Sequence, residues 1–175
     1  MIDYAYTTRW NSRNGLPVAD HRWLDEAEAR EAFAAHGLEV VRVVKRRESD
    51  GAVRAMWVMG LAYKAGVRVQ WFDAKHSVWR LNDYQWVDGR LFRRVTIDYG
   101  YPDAERRYGL SECTAIRKLV VLPDGSGHAI QDLKSEPTQL IARFDDHRTD
   151  NLWIDYLEFG DWEPLADPNF GIDPE

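Results

Sequence analysis

Residues 77–101, SVWRLNDYQWVDGRLFRRVTIDYGY, hold a turn signal between two runs of β-forming residues. Asp88-Gly89 is that signal, because both residues tolerate the positive φ angles that a tight hairpin turn requires. After the turn, apolar residues recur at alternate positions, which is typical of a strand with one buried face: Leu91, Val95, Ile97 and Tyr99. The stretch therefore predicts a β-hairpin and, with it, an antiparallel sheet.

The strand before this turn changes its phase. Trp79 and Leu81 occupy one parity, whereas Tyr84 and Trp86 occupy the other. One extra residue in a strand reverses the facing of every residue beyond it. We therefore predict a bulge at Asn82-Asp83, which would turn Trp79 and Trp86 toward the same core.

Alternating and β-branched segments on both sides of the hairpin extend the sheet. The strongest is AVRAMWVMGLAY, residues 52–63, whose apolar residues fall on both parities and so predict a central strand covered on both faces. It follows the turn Ser49-Asp50-Gly51. Further strands are predicted at 2–9, 38–48, 67–73, 114–122, 128–133, 138–144 and 152–159. The long irregular stretch 100–111 is a candidate binding loop.

One helix is predicted, at 24–36. Asp25 and Glu28 have the spacing of a capping box, and Gly37 follows the helix where a left-handed cap is common. We expect an α+β fold in which this N-terminal helix packs on a large, twisted antiparallel meander of about eight or nine strands, partly closed on itself. We expect residues 1–175 to form a single domain, with 160–175 as an irregular acidic C-terminal segment.

Composition sets the broad class of the protein. The 175 residues are 45% hydrophobic and 30% charged, and the single cysteine, Cys113, precludes an internal disulfide. There is no basic and apolar leader, and the longest uncharged stretch, 55–63, is far shorter than the roughly 20 residues of a membrane span. We therefore expect a soluble cytoplasmic protein without a membrane partner.

The net charge of −6 is distributed unevenly along the chain. Residues 145–175 contain ten acidic residues and one basic residue, Arg148, so this segment carries −9 and the remaining residues carry +3. We expect the acidic end either to fold back over the basic body or to remain a solvated tail. An acidic surface that captures a partner is the functional alternative.

No catalytic, metal or cofactor motif is found in the sequence. The five histidines lack the pairwise spacing of metal ligands, and Cys113 has no histidine nearby, so we expect it to be a small buried residue. GSG at 125–127 is not followed by the lysine of a phosphate-binding loop. Paired carboxylates in a cleft, for example from Asp73, Asp83 and Asp98, are the alternative.

The sequence is rich in the residue types that dominate protein interfaces, with eight Trp, eight Tyr and 18 Arg. We expect Trp57 and Trp71 to lie in the core, and Trp10 and Trp23 to lie at an interface. The predicted partner-binding residues belong to a tight turn, to the candidate loop with its flanks, and to the C-terminal segment: Glu48, Ser49, Asp50, Gly51, Tyr99, Tyr101, Asp103, Tyr108 and Trp162.

A small, acidic, aromatic-rich β protein with DEAEAREAFAAHG at 25–37 and an acidic end resembles bacterial toxin-immunity proteins. More narrowly, it resembles the immunity factor of the mycobacterial necrotizing toxin, an NAD-glycohydrolase. The resemblance implies a non-enzymatic actinobacterial protein that binds a cognate toxin and blocks its active-site cleft. It also implies an acidic docking surface, which would suit a cleft that holds the phosphates of a nucleotide.

Two other functions stay open. One is a small β-rich enzyme or ligand-binding domain that acts on an organic metabolite in a sheet-lined pocket, which would be formed by Tyr63, Trp71, Trp79, Asp83, Trp86 and Asp98. The other is nucleic-acid binding through the basic stretches 42–47 and 90–94 and through Arg106-Arg107, which the negative net charge disfavours.

Overall fold

The computed structural model describes residues 3–62 and 66–172. Its strands are β1 (Tyr4–Thr7), β2 (Trp10–Asn11), β3 (Leu16–Pro17), β4 (Glu39–Arg46), β5 (Val53–Ala62), β6 (Gly66–Phe72), β7 (Val78–Val87), β8 (Arg90–Gly100), β9 (Ala115–Val121), β10 (Gly127–Leu133), β11 (Leu140–Phe144) and β12 (Trp153–Ile154). Its α-helices are α1 (Glu26–Ala34) and α2 (Glu163–Ala166), and single 3-10 turns lie at Leu110–Glu112 and Asp150–Leu152.

The strands build one large antiparallel sheet in the order β1-β4-β5-β6-β7-β8-β9-β10-β11, with β12 paired to β8 as the tenth strand. From β4 onward, neighbours in the sheet are neighbours in the sequence, which confirms the predicted meander and the α+β class. The sheet is open, with β1 and β11 at its edges, so the expected partial closure is not found in the described residues. β12 is much shorter than the strand predicted at 152–159.

Two bulges of the sheet lie beside the predicted position. Between β6 and β7 the extra residue is Trp79, and between β7 and β8 it is Arg94, which belongs to β8. The prediction of a bulge at Asn82-Asp83 is therefore wrong. Trp79 and Trp86 nevertheless pack against the same core, because a bulged residue leaves the alternation of its strand.

Helix α1 begins at the predicted capping box. The Asp25 carboxylate accepts the Glu28 backbone N–H at 2.9 Å, and the Glu28 carboxylate accepts the Asp25 backbone N–H at 3.1 Å. The helix is shorter than the predicted 24–36, because Asp25 is itself the cap and His36 already has a positive φ of 54°.

The first face of the sheet is covered by α1 and by the C-terminal segment. Its core unites Ala29 of α1, the predicted core residues Trp57 and Trp71, and Trp162. The Trp71 indole N–H donates to the carbonyl of Ala166 at 3.1 Å. The segment predicted to be irregular thus contains α2, and it folds back onto the sheet.

The second face of the sheet is only partly covered. Trp10, from the short hairpin of β2 and β3, packs over Val58 and Phe72 in a separate core cluster. The Val53 backbone N–H donates to the Gly15 carbonyl at 2.7 Å, which holds the tip of the hairpin at the start of β5. Two concavities on this side of the protein meet at Ser12 of the hairpin.

Candidate partner-binding site

Three of the connections at one end of the sheet contribute to the candidate site, and they share this end because neighbouring strands are antiparallel. They are the β4–β5 turn at 47–52, the β6–β7 turn at 73–77 and the long loop that follows β8, at 101–114. The tip of the β2–β3 hairpin reaches this end through the bond of Gly15 to Val53. Segments that are far apart in the sequence therefore meet here.

The β4–β5 turn is braced by its own side chains. The Arg47 guanidinium binds the two carboxylate oxygens of Asp50 at 2.8 and 2.6 Å, and the Asp50 carboxylate also accepts a backbone N–H at 3.1 Å. The hydrogen bond from Arg47 is the main reason why the pKa of Asp50 lies below its ordinary value. Gly51 has a φ of 71°, which glycine adopts without strain. Glu48 and Ser49 are exposed at the tip.

The long loop is braced by two stacked tyrosines. The rings of Tyr101 and Tyr108 lie 5.5 Å apart with nearly parallel planes, and the Arg106 guanidinium lies 4.0 Å from the centre of the Tyr108 ring. The Tyr108 hydroxyl donates to Asp103 at 2.7 Å. Burial raises the pKa of Tyr101 to about 12, so its hydroxyl stays protonated and donates to the Val78 carbonyl at 2.7 Å. The loop is thereby attached to β7.

A groove of about 640 Å³ lies between these connections, and we call it the basic groove. It is lined by residues of the hairpin, of β4 and β5, of the two turns and of the long loop: Ser12, Arg13, Asn14, Gly15, Lys45, Arg46, Arg47, Glu48, Ala52, Val53, Arg54, His76 and Arg107. The turn 48–51 and the loop 101–109 form what we call its rim. Two segments that the sequence predicts to bind a partner thus border one site.

Most cations of the basic groove lack an acidic partner in the part of the chain that the structure describes. Arg47 is paired with Asp50. The other cationic side chains have no carboxylate within ion-pair distance in the described ranges: Arg13, Lys45, Arg46, Arg54 and Arg107. Arg46 lies over the ring of Trp23 instead, at 5.8 Å from its centre. The groove therefore concentrates positive charge on a chain whose net charge is −6.

His76 is the uncharged imidazole of this lining. Its Nε2 accepts the Ala55 backbone N–H at 3.3 Å, and its ring stacks on Phe72 at 4.5 Å. Burial, with the charges of Arg107 and Arg54, lowers the pKa of His76 to about 4. The histidine is therefore neutral near pH 7. Arg54 and Arg107, from different segments, line the groove together with His76.

The second concavity, of about 740 Å³, lies beside the hairpin, and we call it the polar concavity. Arg68 and Asp83 face each other across β6 and β7 and form two hydrogen bonds, at 2.6 and 2.8 Å. Glu39 accepts the Trp10 backbone N–H at 2.5 Å, and burial raises the pKa of this carboxyl group. Its charged groups are thus largely engaged with one another or with the backbone.

The metabolite pocket predicted from the sequence does not form from the expected residues. Asp83 lines the polar concavity. The remaining described members lie on the first face of the sheet, away from that concavity: Trp71, Trp79, Trp86 and Asp98. Tyr63 is outside the described residues. The bulge at Trp79 and the alternation of β7 beyond it place Trp79 and Trp86 against the core.

Some predicted interface residues are core residues. Trp162 has no exposed surface, so its prediction as a partner-binding residue is wrong, and Trp10 is also buried. Tyr108 is buried and braces the loop, whereas Tyr99 is half-buried in β8 and does not line the basic groove. Asp103 is exposed on the rim.

Several groove residues were missed in the sequence. Arg13, Arg54 and His76 come from three separate segments, and only the antiparallel connections bring them together. The basic stretch 42–47 was a usable signal, since Lys45 and its neighbours contribute to the lining.

Comparison with known protein families, curated proteins and solved structures gave no match to this chain. Within residues 3–62 and 66–172, no group of three or more His, Cys, Asp or Glu side chains could hold a metal ion. In the same residues, no helix has the length and apolar character needed to cross a membrane. Cys113 is buried, as expected.

Proposed function

We propose that this chain is a non-enzymatic binding protein that captures a protein partner through the rim of the basic groove and inhibits it, as a toxin-immunity protein does. The observation that carries the proposal is the convergence of the turn 48–51 and the loop 101–109 on one groove. The sequence predicts both segments to bind a partner.

The rigidity of the rim supports this proposal. The turn is held by the bidentate pair of Arg47 and Asp50, and the loop by the stack of Tyr101 and Tyr108. Tyr108 also donates its backbone N–H to the Ser77 hydroxyl at 3.0 Å, which joins the loop to the β6–β7 turn. A surface that is already ordered loses less conformational entropy on binding, so a larger part of the contact energy becomes affinity.

The charge of the groove changes the expected mode of binding. The resemblance to immunity factors of an NAD-glycohydrolase implies an acidic docking surface, whereas the groove between the predicted segments is basic. Electrostatic complementarity then requires an acidic surface on the partner. The proposed inhibition is therefore a contact with an acidic region of a protein, at or beside its functional cleft.

Site-specific photo-crosslinking in cells that naturally produce the protein tests this proposal. A photoreactive amino acid replaces Glu48 or Asp103 on the rim, and in a control it replaces Tyr156, which is 70% exposed and follows β12 at the opposite end of β8. We expect both rim positions, and not the control, to form an adduct with the same protein. The purified partner should form a stoichiometric complex and lose its own activity in it.

Two results would contradict the proposed function. One is the absence of any adduct from the rim while the protein is folded and abundant. The other is an adduct formed equally from Tyr156, which would mean that contact at the rim is not selective.

A further inference from the structure

The basic groove holds positive charge that the described part of the chain does not neutralise. In residues 3–62 and 66–172, no carboxylate lies at ion-pair distance from five cationic side chains of its lining: Arg13, Lys45, Arg46, Arg54 and Arg107. Several arginines elsewhere are paired, as in Arg68 with Asp83 and Arg90 with Asp155. Like charges that share a groove repel one another, and a bound anion removes that repulsion.

These cations come from several segments that the fold holds in place. Arg13 lies on the hairpin, Lys45 on β4, Arg54 on β5 and Arg107 on the long loop. The hairpin is fixed by the bond of Gly15 to Val53, and the loop by its bonds to β7 and Ser77. The positive charge is thus presented by ordered backbone on several sides of one groove.

We propose that the basic groove binds an acidic polypeptide segment, rich in Asp and Glu, of the protein partner. This inference rests on the proposed function for the statement that the partner is a protein. The planar guanidinium group matches a carboxylate with two parallel hydrogen bonds, and the Arg47–Asp50 pair at the groove already shows this geometry. A groove of about 640 Å³ accommodates a few side chains of such a segment.

The surroundings of the groove favour a polypeptide over a nucleic acid. Single strands bind basic grooves by stacking bases on exposed aromatic rings. The nearby rings are already occupied: Tyr101 and Tyr108 stack on each other, Arg106 covers Tyr108, and His76 stacks on Phe72.

Acidic residues on the rim point to the same conclusion. Glu48, Asp50, Asp103 and Glu105 are exposed on the turn and the loop that border the groove. A long phosphate chain that left the groove would pass these carboxylates and be repelled. A protein segment can place its acidic residues in the groove alone and present neutral or basic residues to the rim.

Binding of defined probes to the full chain tests the inference. Three fluorescent probes are used: a peptide of Asp and Glu residues, its Asn and Gln analogue, and single-stranded DNA with the same net charge as the acidic peptide. Fluorescence anisotropy measures the binding of each probe. We expect saturable binding of the acidic peptide that weakens as salt rises from about 0.05 to 0.2 M. Binding of the neutral analogue and of the DNA should be at least about tenfold weaker.

Charge-removing variants locate the binding. Arg54→Ser and Arg107→Ser together should weaken peptide binding by at least about tenfold, whereas Arg143→Ser on β11 should leave it unchanged. All three arginines are exposed, so the variants are expected to fold, and circular dichroism with thermal unfolding checks this.

Each result decides the inference. Tighter binding of the DNA, no difference between the acidic and neutral peptides, or equal affinity of the Arg54→Ser/Arg107→Ser variant would overturn it. If the rim still crosslinks to one protein in that case, the proposed capture of a protein partner stands and only the acidic character of the contact is rejected. If the peptide binds in the groove but the rim yields no adduct, the proposed function fails instead.

Discussion

The His76 side chain shows how burial among cations determines a protonation state. Its ring is packed against Phe72 and Trp10, and Arg54 and Arg107 add positive charge nearby. Both effects disfavour the imidazolium ion. The histidine therefore contributes to the shape of the basic groove without adding to its charge, and the affinity of the groove for anions does not depend on its titration near pH 7.

This protonation state predicts a pH dependence of stability. The pKa of His76 is lowered from 6.5 to about 4 in the folded protein, so the unfolded chain binds a proton first as the pH falls. The free energy of unfolding should therefore decrease between about pH 6.5 and pH 4. The variant His76→Asn removes this group, and asparagine tolerates the φ of 72° at that position.

Urea denaturation at several pH values measures the effect. We expect the free energy of unfolding of the natural protein to fall more steeply over this window than that of the variant. If the free energy of unfolding depends on pH in the same way in both proteins, His76 does not have a lowered pKa in the folded state.

Trp162 shows the limit of inference from a residue's neighbours in the sequence. Acidic residues and prolines surround it, so the sequence favoured an exposed position. In the structure, its ring contacts Phe33 of α1 and Phe159, at centroid distances of 5.7 and 5.4 Å. Burial of a large aromatic side chain contributes more free energy than the local sequence preference does, and remote segments supply the surface that buries it.

At the scale of elements, strand alternation and turn chemistry were sufficient to locate most strands. Asp88-Gly89 and Asp50-Gly51 join consecutive strands as predicted, and residues 53–62 form a central strand with apolar contacts on both faces. The bulges were not located correctly. A bulge is a property of two paired strands, so its position depends on the register of the partner and cannot be read from one strand alone.

The close contact of β6 with β7 gives a prediction at this scale. Gly66 has a φ of 113°, and a Cβ atom there would lie 1.7 Å from the carbonyl oxygen of Tyr84. Gly66→Ala should therefore decrease the free energy of unfolding by at least about 3 kcal/mol, since the strand must shift its register or separate. Urea denaturation measures the loss.

Gly51→Ala is the matched control for this prediction. Gly51 also has a positive φ, of 71°, but a Cβ atom there would meet nothing within 4 Å. Gly51→Ala should decrease the free energy of unfolding only by the cost of the backbone strain, about 1 kcal/mol. Equal losses in the two variants would contradict the observed packing of Gly66 against β7.

At the scale of the whole molecule, the C-terminal segment completes the first face of the sheet. The expectation that the acidic end folds back over the basic body is met in the described residues, but mainly through backbone carbonyls. Arg80 donates to the Pro168 carbonyl at 3.1 Å, and the buried Arg93 donates to the carbonyls of Phe170 and Gly171. Two sheet arginines thus hold the segment over the core.

Removal of one of these arginines should release the segment locally. Arg93 is 3% exposed, and Arg93→Met keeps most of its volume while it removes both hydrogen bonds. We expect the backbone amides of 167–172 to lose about 1–3 kcal/mol of protection in hydrogen exchange, more than the amides of the central strands lose. The control is Arg94→Met, at the neighbouring exposed arginine. In this variant the protection of the amides of 167–172 should stay within about 0.5 kcal/mol of that in the natural protein. A uniform loss across the whole sheet would mean that Arg93 does not act mainly on this segment.

The sequence predicts which segments form the candidate site, but it does not predict the positive charge of the site. The turn 48–51 and the candidate loop 100–111 are predicted from turn chemistry and loop length, and Glu48 and Arg107 of these segments line the basic groove. The positive sign of the groove was not predicted, because Arg13 and Arg54 are isolated residues in the sequence and join Arg107 only at one end of the sheet.

The sequence by itself determined the antiparallel meander, the capped helix and the turns, because these depend on residues that are close along the chain: alternation, capping spacing and tolerance of positive φ. Only the tertiary structure decided which strand pairs carry bulges and that Trp162 lies in the core. It also decided that cations of four segments, which have no carboxylate partner among the described residues, surround one groove. The physical reason is that burial and electrostatic repulsion act through space, so they depend on which distant residues the completed sheet brings together.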